Sequence, residues 1–259
     1  MSPILFNIYM NDLSTELNSC NVGCMFNGKM VNHFLYADDS SLLAPSPSGL
    51  QTLIDICDKY AMKNCIIYNE LKTNCMCFKP KSMSKLIIPD FYLNNVKLNL
   101  VNVVKYLGVF IRDDLSDCDD MSRHVKYIYA KGNYIIRNFS MCSFEVKKTL
   151  FRTFCNSIYG GHLWSHFTKA DRTRVKVAFN NVYRKLFNIE FGASISMSMV
   201  FNNIDCFQVL SRKYALSFRR RLFNCDNSLV MSICASTYFN TVSSLCRIWT
   251  NDLFADSTV

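Results

Sequence analysis

The first part of the chain alternates between helical and extended patterns of apolar residues. Apolar side chains recur at helical spacing from Ile4 to about Leu17, directly after Ser2-Pro3, a hydroxyl N-cap followed by proline at the first helical position. Residues 30–44 favour a β-hairpin, and the Pro/Ser/Gly segment 45–49 predicts a break. A second helix is predicted to follow, with one apolar face formed by Leu50, Leu53, Ile54, Cys57, Tyr60 and Ala61.

Short strands are predicted beyond this second helix. Their ranges are residues 75–78, 91–93, 96–98, 101–105 and 108–111, and Asn94-Asn95 is a tight-turn signal between two of them. The alternation of helices and strands up to about residue 112 predicts the α+β class, with helices packed on one face of an antiparallel sheet.

The second part of the chain has a helical period throughout. An acidic segment, residues 113–120, lacks the central glycine and final glutamate of a calcium loop, so we interpret it as a linker. Helices are then predicted over 121–139, 145–159, 170–188 and 205–224. The predicted organisation is therefore a first domain over 1–112, the linker 113–120, a basic helical region over 121–225 and a weakly patterned tail over 226–259.

Charge is distributed unevenly between these parts. Residues 1–120 carry 10 Lys+Arg and 13 Asp+Glu, whereas residues 121–223 carry 18 and 4. A net charge of +14 over about 100 residues favours a nucleic-acid partner for the helical region. The alternative is a solvated basic face with no ligand.

The cysteines and the hydropathy of the chain bear on the cellular compartment in which the protein is expected. The 13 cysteines are scattered; Cys20 and Cys24 have a spacing that zinc sites use, but no second pair follows them. His162 and His166 are four residues apart, but they are surrounded by Gly160-Gly161 and Trp164. We interpret the cysteines as reduced thiols. No apolar run is long enough for a membrane span and no signal peptide is visible, so we expect an intracellular protein, in nucleus or cytoplasm, that is not secreted.

Two adjacent carboxylates stand at the predicted hairpin turn, in Tyr36-Ala37-Asp38-Asp39. Paired oxygen ligands of this kind suit a hard divalent cation, which can organise a nucleoside triphosphate. Asp-Asp is also an ordinary turn dipeptide, and that alternative stays open for the tetrapeptide taken alone.

Further segments give this tetrapeptide a context. Residues 1–13 precede it and Val104-Lys105-Tyr106-Leu107-Gly108-Val109 follows it, and in this order the segments resemble the reverse transcriptase of non-LTR (LINE-like) retrotransposons. Residues 159–164 and 177–186 resemble the region that follows the polymerase in those elements. The resemblance covers about residues 1–225, and it implies a partial polymerase palm followed by a helical thumb and post-polymerase region.

The resemblance implies roles for the motif residues. Asp38, with Asp39 as a weaker contributor, would bind Mg²⁺ (or Mn²⁺), and Lys72 would neutralise charge on the leaving pyrophosphate. Tyr36 and Ala37 would lie near the nucleotide or the primer end. The primer-grip positions would be Tyr106, Leu107 and Gly108. Without the resemblance, Tyr36 is equally a packing residue, Lys72 a solvated charge and Gly108 a hairpin glycine.

The resemblance also implies partners: an RNA template, a DNA primer and, in the intact enzyme, a deoxynucleoside triphosphate. The helical region would hold the template–primer through its phosphates without reading sequence. The candidate phosphate-binding residues are Lys126, Lys131, Arg137, Arg172, Arg174, Lys176, Arg184, Lys185, Arg219, Arg220 and Arg221. Tyr159 and Trp164 are candidates for base stacking, with buried packing as the alternative.

A two-metal polymerase site needs carboxylates from two strands, and Asp38 and Asp39 supply one side. In the family the fingers and the strand with the first catalytic aspartate stand upstream of these segments, and they are absent from this sequence. We therefore expect this chain alone to be inactive, with the metal bound only when an upstream aspartate completes the site. The alternatives are a non-catalytic nucleic-acid-binding relic, or an unstable fragment with an exposed apolar face on its first helix.

Overall fold

The computed structural model describes residues 3–79, 87–241 and 246–247. The chain forms two compact units, Met1–Val104 and Lys105–Val259. The described helices are α1 (Pro3–Ser19), α2 (Pro47–Asn64), α3 (Cys118–Asn138), α4 (Phe144–Cys155), α5 (Lys169–Leu186), α6 (Ile195–Phe201), α7 (Phe207–Phe223), α8 (Ser228–Ala235) and α9 (Thr237–Thr241). The described strands are β1 (Cys24–Phe26), β2 (Lys29–Val31), β3 (His33–Tyr36), β4 (Asp39–Leu42), β5 (Asn74–Cys75), β6 (Tyr92–Leu93), β7 (Val96–Lys97), β8 (Asn99–Leu100), β9 (Val103–Tyr106) and β10 (Val109–Arg112).

The first unit is built on the packing of α1 against α2. The buried side of α1 carries Met10, Leu13 and Leu17, which share one cluster with Leu53 and Cys57 of α2. The predicted second helix therefore exists with the predicted buried face. It begins earlier than expected, inside the Pro/Ser/Gly segment, because the Ser46 hydroxyl accepts a hydrogen bond from the Gly49 N–H and caps the first turn.

The strands of the described residues pair only in twos. The antiparallel pairs are β1–β2, β3–β4, β6–β7 and β9–β10, while β5 and β8 pair in parallel. The expected single antiparallel sheet is therefore not what the described strands form. Most pairs are local hairpins whose turns contain residues with positive φ, such as Asn27-Gly28 and Asn94-Asn95.

The outward side of α1 is apolar and exposed. Ile4, Leu5 and Ile8 keep 69%, 56% and 65% of their surface accessible. Exposure of this face matches the expectation attached to the unstable-fragment alternative, although the opposite face of the same helix is fully packed.

In its described residues the second unit is helical apart from the β9–β10 hairpin, whose first strand begins at Val103, just before the unit itself. Its core joins α3, α4, α5 and α7, and the interior is aromatic, with Phe151, Phe179 and Tyr183 fully buried. The rings of Phe151 and Phe179 are 5.1 Å apart, and those of Phe151 and Tyr183 are 5.6 Å apart. The four helices predicted for this region correspond to α3, α4, α5 and α7.

The acidic segment differs from its interpretation as a linker. Helix α3 begins at Cys118, so Asp119 and Asp120 form its first turn, where carboxylates interact favourably with the helix dipole. Among the residues that the structure describes, α6, α8 and α9 are further helices that the pattern does not predict, and the last two fall in the segment interpreted as a tail. No helix among the described residues is both long and apolar enough to cross a membrane.

Candidate functional site

The two adjacent aspartates stand at the tip of the β3–β4 hairpin, as the pattern predicted. Tyr36 pairs with Asp39 across the ladder, and Ala37 and Asp38 form the turn between them. Ala37 has a φ of 52°, in the left-handed region that L residues seldom adopt. All four side chains are exposed. The tip therefore presents both carboxylates to solvent on a short, strained turn.

The base of this hairpin is fixed to α1 by polar contacts. His33 lies 2.8 Å from the Ser14 hydroxyl through Nε2 and 2.7 Å from the Asn32 side-chain oxygen through Nδ1. Asn32 is buried and its amide nitrogen donates to the carbonyl oxygens of Leu17 and Val22. Burial lowers the pKa of His33, which favours the neutral ring. The hairpin is thus anchored at its base and open at its tip.

The two faces of strand β3 differ in exposure. Leu35 packs against the α1–α2 cluster, whereas Phe34 and Tyr36 on the other face are 43% and 64% exposed. Two aromatic side chains on an open face beside a carboxylate pair provide a surface on which a base or another apolar group can lie.

The carboxylate pair fits one side of a metal site. Mg²⁺ prefers oxygen ligands and commonly uses one or two carboxylates together with water and substrate phosphates. Within the described parts of the chain, no three His, Cys, Asp or Glu side chains gather into a potential metal site. Asp38 and Asp39 could therefore hold one edge of an ion, and further ligands would have to come from a substrate or another carboxylate.

Lys72 lies in the same unit as the aspartates, in the turn over residues 69–73. Its backbone N–H donates to the carbonyl oxygen of Asn69 at 3.1 Å, and its side chain is exposed. The fold leaves the ammonium group accessible to an anion.

The second predicted motif forms the turn of the β9–β10 hairpin. Leu107 and Gly108 have φ values of 46° and 81°, the pair of left-handed residues that suits a two-residue hairpin loop. The Tyr159 hydroxyl donates to the Leu107 carbonyl oxygen at 2.7 Å. A Cβ atom at residue 108 would lie 3.0 Å from the Tyr159 ring, so both φ and the ring favour glycine there. Tyr159 is itself 59% exposed.

A buried carboxylate joins this hairpin to α3. Asp120 is 1% exposed; one oxygen accepts the Phe110 N–H at 3.1 Å and the Arg123 Nε–H at 2.7 Å. The other oxygen accepts the Trp164 indole N–H at 2.8 Å. Arg123 also donates to the Tyr159 carbonyl oxygen at 3.1 Å. Trp164 is thus a buried hydrogen-bond donor, which agrees with the packing alternative for that residue.

This network is not among the predictions from the sequence. The pattern places Asp120 in a linker and gives Arg123 no role, because nothing local marks them as partners of a tryptophan that lies 44 residues beyond Asp120. In the sequence, the pair of glycines at 160–161 was the one available signal that this segment packs closely against another element. Gly160 has a φ of 79°, and a Cβ atom there would lie 2.9 Å from Val109 of the hairpin.

The candidate phosphate-binding residues of α3 differ in their freedom. Lys126 and Arg137 are exposed. Lys131 is partly buried, and its ammonium group lies 5.8 Å from the ring centres of both Tyr127 and Phe154. Lys126 and Arg137 are therefore more accessible to a phosphate than Lys131.

On α5 the candidate basic residues are largely engaged within the protein. Arg184 donates to the carbonyl oxygen of Glu190 at 2.8 Å and lies over the Phe191 ring. Arg174 has a loose ion pair with Asp171 at 3.7 Å, and Arg172 stacks on Phe167. The other two candidates on this helix are Lys176, which is partly buried, and Lys185, which is exposed.

The three consecutive arginines of α7, Arg219, Arg220 and Arg221, are all exposed. Arg219 lies over Phe223 and Arg221 over Phe218, with the guanidinium groups 5.6 and 5.9 Å from the respective ring centres. Stacking on an aromatic ring leaves the edge of a guanidinium able to donate to a phosphate.

Comparison with known proteins supports the resemblance of the N-terminal motifs to a reverse transcriptase. Residues 1–111 match the family model described as reverse transcriptase (RNA-dependent DNA polymerase). This stretch contains both turns, the aspartate pair and the residues 106–108. No curated protein gives a significant match to the chain.

Proposed function

We propose that this chain is the later part of a retrotransposon reverse transcriptase of the non-LTR type, with a partial palm followed by a nucleic-acid-binding thumb region. The observation that carries the proposal is the reverse transcriptase match over residues 1–111 together with an exposed aspartate pair at a hairpin tip inside that stretch. RNA-directed DNA synthesis extends a DNA primer along an RNA template, so the partners would be a template–primer hybrid and a deoxynucleoside triphosphate.

In this proposal Asp38 and Asp39 hold one side of a Mg²⁺ or Mn²⁺ site. The metal would activate the primer hydroxyl and neutralise the triphosphate. The residues of this chain would bind and orient: Tyr36 beside the nucleotide or primer end, and Lys72 toward the triphosphate. Because the described residues bring no third carboxylate to the pair, we propose that the chain needs a further carboxylate for catalysis.

The helical region would bind the hybrid through its phosphates. A net charge of +14 over residues 121–223 supplies the attraction, and Lys126, Arg137, Lys185 and Arg220 are exposed cations within it. Such contacts are independent of sequence and weaken with salt, because each one releases condensed counterions.

The test is the affinity of the full chain for a labelled RNA–DNA hybrid with a recessed primer, measured by fluorescence anisotropy between about 50 and 200 mM salt. Lys126→Gln should weaken binding and reduce the slope of log K against log salt by about 1. Lys213→Gln is the matched control, because Lys213 is already paired with Asp205 at 2.6 Å. Equal effects of the two variants, or a salt-independent affinity, would contradict the proposed interface.

A second candidate is a nucleic-acid-binding protein without catalysis. It is favoured by the same finding that the described residues assemble only two adjacent carboxylates. The enhancement of water-proton relaxation by bound Mn²⁺ distinguishes the polymerase from the non-catalytic binding protein. In the complex with the hybrid and a deoxynucleoside triphosphate, whose phosphates would supply the further ligands, the polymerase proposal expects enhancement that Asp38→Asn removes. Asp12→Asn, a change at an exposed carboxylate of α1, should leave that enhancement intact. Binding of the hybrid without any Mn²⁺ dependence would favour the second candidate.

A further inference from the structure

Tyr159 and Asp120 bind the hairpin turn of residues 107–108 from two sides. The Tyr159 hydroxyl donates to the Leu107 carbonyl oxygen at 2.7 Å, and its ring covers Gly108. Below the turn, the Phe110 N–H donates to Asp120. The turn is therefore held at its tip by a side chain from the 156–164 segment and at its base by a side chain from α3.

These two contacts belong to one connected network. Arg123 donates both to the Asp120 carboxylate and to the Tyr159 carbonyl oxygen, so it links the two sides directly. Trp164 donates to the second Asp120 oxygen from the far end of the same segment. A buried carboxylate with three donors is held firmly, because the loss of any one donor would leave part of the buried charge without a hydrogen bond.

The start of α3 is tied to the same segment a second time. The Asp117 carboxylate accepts the backbone N–H groups of Ser165 and His166, each at 2.6 Å, and the Asp117 N–H donates to the His166 carbonyl oxygen at 2.9 Å. Asp120 therefore binds Trp164 at the end of the 156–164 segment, and Asp117 binds the two residues that follow it.

The turn needs such support. Leu107 occupies the left-handed region, which is unfavourable for a residue with a Cβ atom and persists when surrounding contacts hold it. An isolated two-stranded hairpin is also only marginally stable in water. In the described structure β9 and β10 pair only with each other, so contacts from outside the hairpin must hold the turn in place.

We infer that Tyr159 and Asp120 are positioning residues that hold the 107–108 turn fixed relative to α3, so that the turn meets a bound primer strand at a constant position. The inference rests on the proposed function only for the identity of the primer strand. The side chains themselves need not touch nucleic acid: Asp120 is buried, and the Tyr159 hydroxyl is directed to Leu107.

The test compares three variants of the full chain: Tyr159→Phe, Asp120→Asn and the control Tyr134→Phe. Tyr159→Phe keeps the ring and removes only the donor to Leu107. Asp120→Asn replaces one acceptor oxygen by a donor, which then faces another donor. Tyr134 is an exposed tyrosine of α3 whose ring contacts Phe139, so its change removes a hydroxyl outside the network.

The first readout is amide hydrogen exchange in the peptide covering residues 103–112, without nucleic acid. We expect exchange about 3- to 10-fold faster in Tyr159→Phe and Asp120→Asn, as for the loss of one hydrogen bond, and no change in Tyr134→Phe. Because Tyr159 is exposed, Tyr159→Phe leaves the core intact, and it decides the outcome if Asp120→Asn lowers the overall stability. Unchanged exchange in Tyr159→Phe would overturn the inference.

The second readout is photo-crosslinking from a thionucleotide at the 3′ end of the primer in an RNA–DNA hybrid. We expect the share of crosslinks on residues 103–112 to fall in Tyr159→Phe and Asp120→Asn relative to Tyr134→Phe. If the wild type forms crosslinks on residues 103–112 and both variants form the same share of them there, the inference is overturned. Faster exchange in the variants, with no wild-type crosslinks in this peptide, would support the positioning of the turn and count against the proposed primer contact.

Discussion

Replacing Gly132 by alanine should destabilise the second unit through a single contact. Gly132 is buried in the middle of α3 and faces Val182 of α5. An added Cβ atom would lie 2.3 Å from Val182 Cγ1, 2.6 Å from Cγ2 and 3.0 Å from Cβ. Carbon atoms in van der Waals contact are about 3.5–4.0 Å apart, so the new methyl group would overlap two atoms severely.

The size of the destabilisation depends on whether Val182 can move away from the new methyl group. Val182 is 1% exposed, and a valine in a helix has one strongly preferred rotamer, so its methyl groups cannot turn away. Overpacking of this kind costs about 3 kcal/mol at the upper end of its usual range. Alanine gains about 1 kcal/mol over glycine in helix propensity. We therefore expect a net loss of about 2 kcal/mol in the free energy of unfolding.

The assay is urea unfolding followed by the fluorescence of Trp164, which belongs to the core of the second unit. A Trp249→Phe background makes Trp164 the only tryptophan. Val182→Ala alone should also destabilise the unit by opening a cavity. The double variant should be more stable than the sum of the two single effects by about 2 kcal/mol, because the new methyl group fills that cavity. Additive effects, or a Gly132→Ala variant more stable than the wild type, would refute the reasoning.

The remaining predictions concern the surroundings of Asp120. Burial, with a smaller contribution from Arg123, lowers the pKa of His124 to about 4, and Asp120 opposes this shift. Between pH 6.5 and 4 the unfolded chain binds a proton that the folded chain does not, so stability should fall by up to about 3 kcal/mol as the pH drops through this window. His124→Phe should flatten this part of the curve of stability against pH. An unchanged curve would contradict the attribution of the pH dependence to the lowered pKa of His124. Asp120→Ala should cost about 3 kcal/mol in chemical unfolding, because it leaves the Arg123 charge without its counterion and the Trp164 N–H without an acceptor. Asp119→Ala, whose carboxylate is 41% exposed and bonded to Arg112, should cost less than about 1 kcal/mol; equal costs would argue against a special role for Asp120.

The elements that sequence patterns predicted well are those with strong local signals. The buried face of α2 follows directly from helical periodicity, and the turns at Asp38 and Gly108 lie where strand patterns are interrupted. The β1–β2 hairpin was missed although Asn27-Gly28 is a strong turn signal, because its strands are only three residues long. The parallel β5–β8 pairing joins segments about 25 residues apart and has no local signature.

The residues of the candidate site also fall into those that the sequence predicts and those that it does not. The aspartate pair and the 106–108 turn were predicted because their chemistry is contiguous in the sequence. The Asp120 network was not, because the partners of a buried carboxylate are chosen by tertiary packing. Acidic residues in a row also predict a solvated loop, and only the helical start at Cys118 turns Asp120 toward the interior.

The accessibility of the basic residues could likewise not be predicted from charge alone. The sequence ranks Lys131 and Arg184 equally with Lys126. The structure covers the first with aromatic rings and engages the second with backbone carbonyl oxygens. An aromatic-rich chain can hold cations in this way without an acidic partner.

The most direct test of the proposed function joins the aspartate pair to a bound template–primer. Fe²⁺ can take the place of Mg²⁺, and with added hydrogen peroxide and ascorbate it is oxidised to Fe³⁺ and re-reduced, releasing hydroxyl radicals that cut the nucleic acid close to the ion. In a complex of the full chain with an RNA–DNA hybrid and a deoxynucleoside triphosphate, whose phosphates would supply the further ligands, we expect cuts concentrated at the primer 3′ end. Asp38→Asn should abolish these cuts and Asp39→Asn should reduce them. Uniform cutting, or a pattern at the primer end that these variants leave unchanged, would contradict a metal site at this hairpin.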